Sequence, residues 1–143
     1  MPPRILIVDD EPAVADLIEA VLTGEGYTVA VARDGAQGLM LARDWKPDLI
    51  LMDVMLPGVD GPTATRRLKE EPETADIPIV AMSAGRNIRS HTGDLDEADA
   101  VLSKPFDIDA LLAQVAFHLS RRHSEERPDV SFDGRAPSEP DDT

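Results

Sequence analysis

Three aspartates, one serine and one lysine stand directly after short runs of apolar, β-forming residues. Asp9 and Asp10 close Arg4-Ile-Leu-Ile-Val8, and Asp53 closes Asp48-Leu-Ile-Leu-Met52. Ser83 closes the run that ends at Met82, and Lys104 closes Ala100-Val-Leu-Ser103 and precedes Pro105. Adjacent carboxylates on one strand end, with a third on a neighbouring strand, make an oxygen-rich site suited to a hard divalent cation, most naturally Mg²⁺. Asp53 has the most apolar setting and a turn behind it, which marks its carboxylate as a nucleophile, while Asp9 and Asp10 hold the metal. Such a carboxylate accepts a phosphoryl group to give an acyl phosphate. Lys104 would supply the ammonium that neutralises phosphoryl oxygens, and Ser83 a hydroxyl donor.

That chemistry needs an architecture that brings the ends of separate strands together. In a parallel α/β sheet all strand C-termini lie on one edge, where ligands bind at the point of strand-order reversal. The chain alternates strand-like and helix-like segments five times. Strands are expected at Arg4 to Val8, Tyr27 to Ala32, Asp48 to Asp53, Ile77 to Met82 and Ala100 to Ser103. Val14, Leu17, Ile18, Val21 and Leu22 recur at helical spacing before a Gly24-Glu25-Gly26 turn. A second helix carries Ala36, Leu39 and Met40 and ends before Pro47. Asp60 and Pro62 open a third that runs to about Glu70. The last has Asp107 as N-cap, Phe106 and Leu111 as a staple, and Ile108, Leu111, Leu112, Val115 and Leu119 on its buried face. Short connections between alternating elements imply a three-layer, doubly wound α/β sandwich.

Composition sets the limits. With 143 residues there is room for one core. The domain is expected over residues 1–122, with residues 123–143 a disordered acidic tail holding three prolines and few apolar groups. No apolar run approaches the ~18 residues of a bilayer span, and Asp9 and Asp10 interrupt the first strand too early for a secretory leader, so a cytoplasmic protein is expected. There is no cysteine, which excludes disulfides and thiolate chemistry. A net charge of -14 argues against direct nucleic acid binding and for protein or cation partners.

Ile7-Val-Asp-Asp-Glu-Pro12, Asp53-Val-Met-Leu-Pro-Gly-Val-Asp-Gly61, Met82-Ser-Ala84 and Lys104-Pro-Phe106 together resemble the receiver domain of two-component response regulators, over about residues 4 to 121. The resemblance implies a flavodoxin-like five-stranded parallel sheet of order 2-1-3-4-5. It makes Asp53 the phosphoacceptor, Asp10, Asp53 and the Met55 backbone carbonyl direct magnesium ligands, and Asp9 a ligand through water. Ser83 becomes the switch hydroxyl, Lys104 the phosphoryl-binding cation, and the Lys104–Pro105 bond cis. It further implies a signalling phosphoacceptor rather than a turnover enzyme, charged by a sensor histidine kinase or phosphotransfer protein. Output would pass through a downstream protein target or a homodimer.

Two departures stand out. Val101 occupies the position where many receivers carry an aromatic switch residue, and the Ala84 to Glu97 stretch is poor in helix formers, so its helix is expected to be short or irregular. Other classes fit less well. A haloacid-dehalogenase-type phosphatase needs an acid two residues after the nucleophile, and Met55 stands there. A flavodoxin needs a hydroxyl-rich phosphate loop where this chain has Asp9-Asp10-Glu11-Pro12. The competing reading is a receiver-fold adaptor that acts without phosphorylation; the intact acids, Ser83 and Lys104 speak against it. Glu11 reads as a solvated loop residue, Trp45 as packing at a helix end, and His91, His118 and His123 as surface residues.

Overall fold

The structure, a computed structural model, describes residues 2–84 and 97–126. Five parallel strands form one sheet: β1 (Arg4–Val8), β2 (Thr28–Ala32), β3 (Leu49–Asp53), β4 (Ile79–Ala84) and β5 (Ala100–Lys104), in the order β2-β1-β3-β4-β5. Four helices lie among the described residues: α1 (Pro12–Gly24), α2 (Gly35–Trp45), α3 (Gly61–Glu70) and α4 (Ile108–Glu126). The irregular helix expected between β4 and β5 falls on residues outside those described, as does most of the expected tail. No described helix is long and apolar enough to cross a membrane.

Strand alternation sorts the apolar residues into two cores. Ile5, Ile7, Leu49, Leu51, Val80, Met82 and Leu102 pack with Ile18 and Leu22 of α1 and with Leu111 and Val115 of α4. Leu6, Val8, Ile50, Met52 and Ile79 pack on the other face with Leu39 of α2 and Leu68 of α3. β3 is buried along its whole length, which is why it reads as an unbroken apolar run.

Helix ends follow local chemistry. Asp34, Asp60 and Asp107 each accept a backbone N–H three residues on, at 2.7, 2.8 and 2.6 Å. α1 ends in a Schellman motif: Gly26, at φ +96°, donates to Thr23, and Tyr27 donates to Leu22. Tyr27 is therefore spent on the helix end, and β2 starts one residue later than expected. β4 also starts later and runs to Ala84, because Pro78 has no N–H for the ladder and Ala84 still pairs with Lys104. α4 continues to Glu126, since no breaker precedes Pro128.

His118 corrects an expectation. It is buried rather than on the surface, because it lies seven residues after Leu111 and three after Val115, on the same helical stripe. Burial holds its pKa below the ordinary value, against the pull of Asp99. Gln114 is its hydrogen-bond partner at 3.2 Å.

The edge of the sheet opposite the strand C-termini is pinned by Lys69. Its ammonium donates to the carbonyls of Ala75 (3.3 Å) and Ile77 (2.9 Å) and to Asp99 Oδ2 (2.9 Å), which also accepts the Ile79 N–H. Lys69→Met should leave these acceptors short of a donor and lower unfolding stability by about 1–3 kcal/mol. An unchanged urea midpoint would refute this role.

Candidate functional site

The same alternation aims three charged side chains together. Asp9 continues the register of Ile5 and Ile7, Asp53 that of Leu49 and Leu51, and Lys104 that of Leu102, so all three point to the α1 and α4 side where their strands end. The Asp9 N–H still bonds Ala32 at 3.0 Å, extending the ladder one residue past β1. Asp9 is fully buried and Asp53 nearly so.

Lys104 ties them. Its Nζ donates to Asp9 Oδ2 at 3.1 Å, lies 3.3 Å from Asp53 Oδ2 and reaches Glu11 Oε1 at 3.4 Å. Asp53 Oδ1 accepts the Met55 N–H at 3.2 Å, and Asp9 Oδ1 accepts the Glu11 N–H at 2.9 Å. The Lys104–Pro105 bond is cis. Gly61 closes the loop after Asp53: a Cβ there would lie 2.1 Å from the Asp53 carbonyl oxygen, and the Gly61 N–H bonds Val54.

A cavity of about 340 Å³ opens here, lined by Asp10, Glu11, Asp53, Met55 and Lys104. Asp10 is exposed at its mouth. One carboxylate oxygen from each of Asp9, Asp10 and Asp53 falls within 4.8 Å of the others. Asp9, Asp10, Asp53 and Glu11 against one ammonium leave an excess of negative charge, which suits a divalent cation held by oxygen. Electrostatics register this excess. Burial and then the charge of Asp9 push the Asp53 carboxyl up from 3.8 to about 6, despite Lys104. For Lys104, burial alone would lower the pKa, but the bonds to Asp9 and Asp53 outweigh it and the net shift is upward.

Ser83 is buried at the same sheet edge, but it follows Met82 in the alternate register and is not among the cavity-lining residues. Leu17 also departs from expectation: it is 53% exposed and lines, with Val14, Lys104, Pro105 and Phe106, a second cavity beside the first. Glu11 was legible only as a solvated residue. Its exposure agrees with that, whereas its contact with Lys104 depends on a strand end 93 residues away.

Residues 5–116 match the response regulator receiver domain model. The chain belongs to this family. The receiver is 46% identical over 120 residues to the DNA-binding dual master transcriptional regulator RpaA of Synechocystis sp., a match covering 83% of this chain and 50% of RpaA. It thus spans about half the length of that relative. A putative response regulator from Chloroflexus aurantiacus superposes with a TM-score of 0.80 at 36% identity, over 85% of this receiver and 100% of that chain. The receiver domain of sensor histidine kinase PA1611 from Pseudomonas aeruginosa gives 0.78 at 31% identity, over 84% and 99%, and carries a magnesium ion in its active site cleft. The receiver is therefore a two-component signalling module with the flavodoxin-like fold.

Proposed function

We propose that the receiver accepts a phosphoryl group on Asp53 from the phosphohistidine of a sensor histidine kinase or phosphotransfer protein. The observation that carries this is Lys104 Nζ between two buried carboxylates at the cavity floor, 3.1 Å from Asp9 and 3.3 Å from Asp53. An Asp53 oxygen attacks phosphorus, the P–N bond breaks with its electron pair going to the imidazole nitrogen, and a P–O bond forms. The Met55 N–H fixes the carboxylate plane while Lys104 receives a phosphoryl oxygen. Burial and the charge of Asp9, which raise the Asp53 carboxyl to about 6, make it a more basic nucleophile than an exposed aspartate. Asp9, Asp10, Asp53 and the Met55 carbonyl are the groups that would hold Mg²⁺, whose bound charge neutralises phosphoryl oxygens. Ser83 is assigned the switch hydroxyl that meets the phosphoryl group once the β4 end rearranges.

Lys104 lines both cavities, so a donor protein that brings its phosphohistidine to Asp53 also covers the apolar surface of Val14, Leu17, Pro105 and Phe106. Output passes onward to a protein target, in keeping with a net charge of -14 that opposes contact with nucleic acid phosphates. Intact-mass measurement tests the assignment. Acetyl phosphate with magnesium should add one phosphoryl group to the wild type and none to Asp53→Asn. Labelling of Asp53→Asn, or none of the wild type at saturating donor, would overturn it.

A further inference from the structure

Glu11 is the N-cap residue of α1, yet its side chain makes no capping hydrogen bond. Aspartate at this position ordinarily accepts an N–H from the first turn, whereas the longer glutamate gains only from the helix dipole and is left free to reach elsewhere. Here Pro12 removes one such donor, and the Glu11 N–H is held by Asp9 Oδ1. The carboxylate turns instead into the cavity mouth and reaches Lys104 Nζ at 3.4 Å. It stands apart from the Asp9, Asp10 and Asp53 cluster, and it is 61% exposed where Asp9 is fully buried.

Lys104 therefore has three carboxylate neighbours, with different prospects when a phosphoryl group arrives. An ammonium has three N–H donors. Asp9 is fixed beneath it, and Asp53 becomes part of the acyl phosphate. Glu11 alone can swing into water at little cost, because its pairing is mostly solvated. Resting on the phosphoacceptor reading above, we infer that Glu11 is a resident competitor for Lys104: it occupies the ammonium's outward N–H in the unphosphorylated receiver and yields it to a phosphoryl oxygen. Each charging event then carries the cost of displacing Glu11, and a small anionic phosphodonor also meets its negative charge at the entrance. A donor protein can offset both with groups of its own, so Glu11 biases the site against free small-molecule phosphodonors.

The test compares Glu11→Gln with Asp16→Asn, which removes the same charge from the exposed side of α1, where Asp16 faces Arg33 at 3.9 Å. Three quantities are read at low and high ionic strength: the acetyl phosphate labelling rate, the affinity for beryllofluoride as a phosphoryl mimic, and the magnesium affinity. Glu11→Gln should raise both labelling rate and beryllofluoride affinity by about two- to fivefold, the range a partly exposed ion pair is worth. The gain should shrink at high salt, as for any part-exposed pair, and Asp16→Asn should show none of it at either ionic strength. Glu11→Gln no better than Asp16→Asn would overturn the inference. So would a gain in rate without one in beryllofluoride affinity, since that would make Glu11 a repeller at the entrance rather than a competitor for Lys104. Loss of magnesium affinity in Glu11→Gln would make it a metal ligand, which also overturns it. If the wild type neither labels nor binds beryllofluoride, the phosphoacceptor reading itself fails.

Discussion

Replacing Lys104 with methionine should destabilise the magnesium-free receiver by about 2–4 kcal/mol at pH 8, because breaking a buried pair strands the partner charge. The lower half of that range reflects a cavity open to water on the Asp10 side. In the variant the fully buried Asp9 keeps the Glu11 N–H, and Asp53 the Met55 N–H, but neither keeps a cation. Methionine preserves the apolar stem of the lysine, so the loss reports charge rather than volume. Two controls sharpen the result. Magnesium should recover much of the loss by binding the folded form alone. Lowering the pH from 8 toward about 6 should shrink it, because Asp53 without the lysine that lowers its pKa takes up a proton more readily in the variant. Urea unfolding of both proteins, with and without magnesium, decides the matter; equal midpoints without metal would mean that the ammonium does not hold the acids in place.

The charged triad was legible in the sequence because strand alternation and parallel topology are both local rules with global consequences. Once β1, β3 and β5 are parallel, Asp9, Asp53 and Lys104 share an edge, and their common parity with Ile7, Leu51 and Leu102 puts them on one side of it. Helix starts were legible for the same reason: Asp60 and Asp107 bond within three residues of themselves. Tertiary competition hid the rest. Leu17 has the spacing of a core residue, but α1 turns it toward Pro105 and Phe106 instead of the sheet. His118 shares the stripe of Leu111 and Val115, a signal overridden by its polarity. Glu11 looks solvated because nothing within reach along the chain is basic; its partner comes from β5. Ser83 was expected at a strand end but lies inside β4, since Ala84 finds a partner in Lys104.

Asp53→Asn should behave in the opposite sense to Lys104→Met and stabilise the metal-free receiver above pH 6. Burial and Asp9 raise the Asp53 carboxyl from 3.8 to about 6. Between those values the folded state binds more protons than the unfolded state, so stability falls as pH rises through the window. Below 3.8 the carboxyl is protonated in both states and contributes nothing; above about 6 the penalty is complete. At 1.36 kcal/mol per pH unit the full penalty is at most about 3 kcal/mol, and strong coupling to Asp9 and Lys104 makes about 1–3 kcal/mol the expected gain. Asparagine keeps an oxygen for the Met55 N–H, so the gain comes from removing charge. The difference in urea midpoint should be near zero at pH 4, grow through pH 5 and level off above pH 7. Magnesium should narrow it from the wild-type side, by relieving in the native protein the repulsion that the variant lacks. A variant less stable than wild type at pH 8 without metal, or a gain that does not change with pH, would show that Asp53 carries no excess charge in the fold.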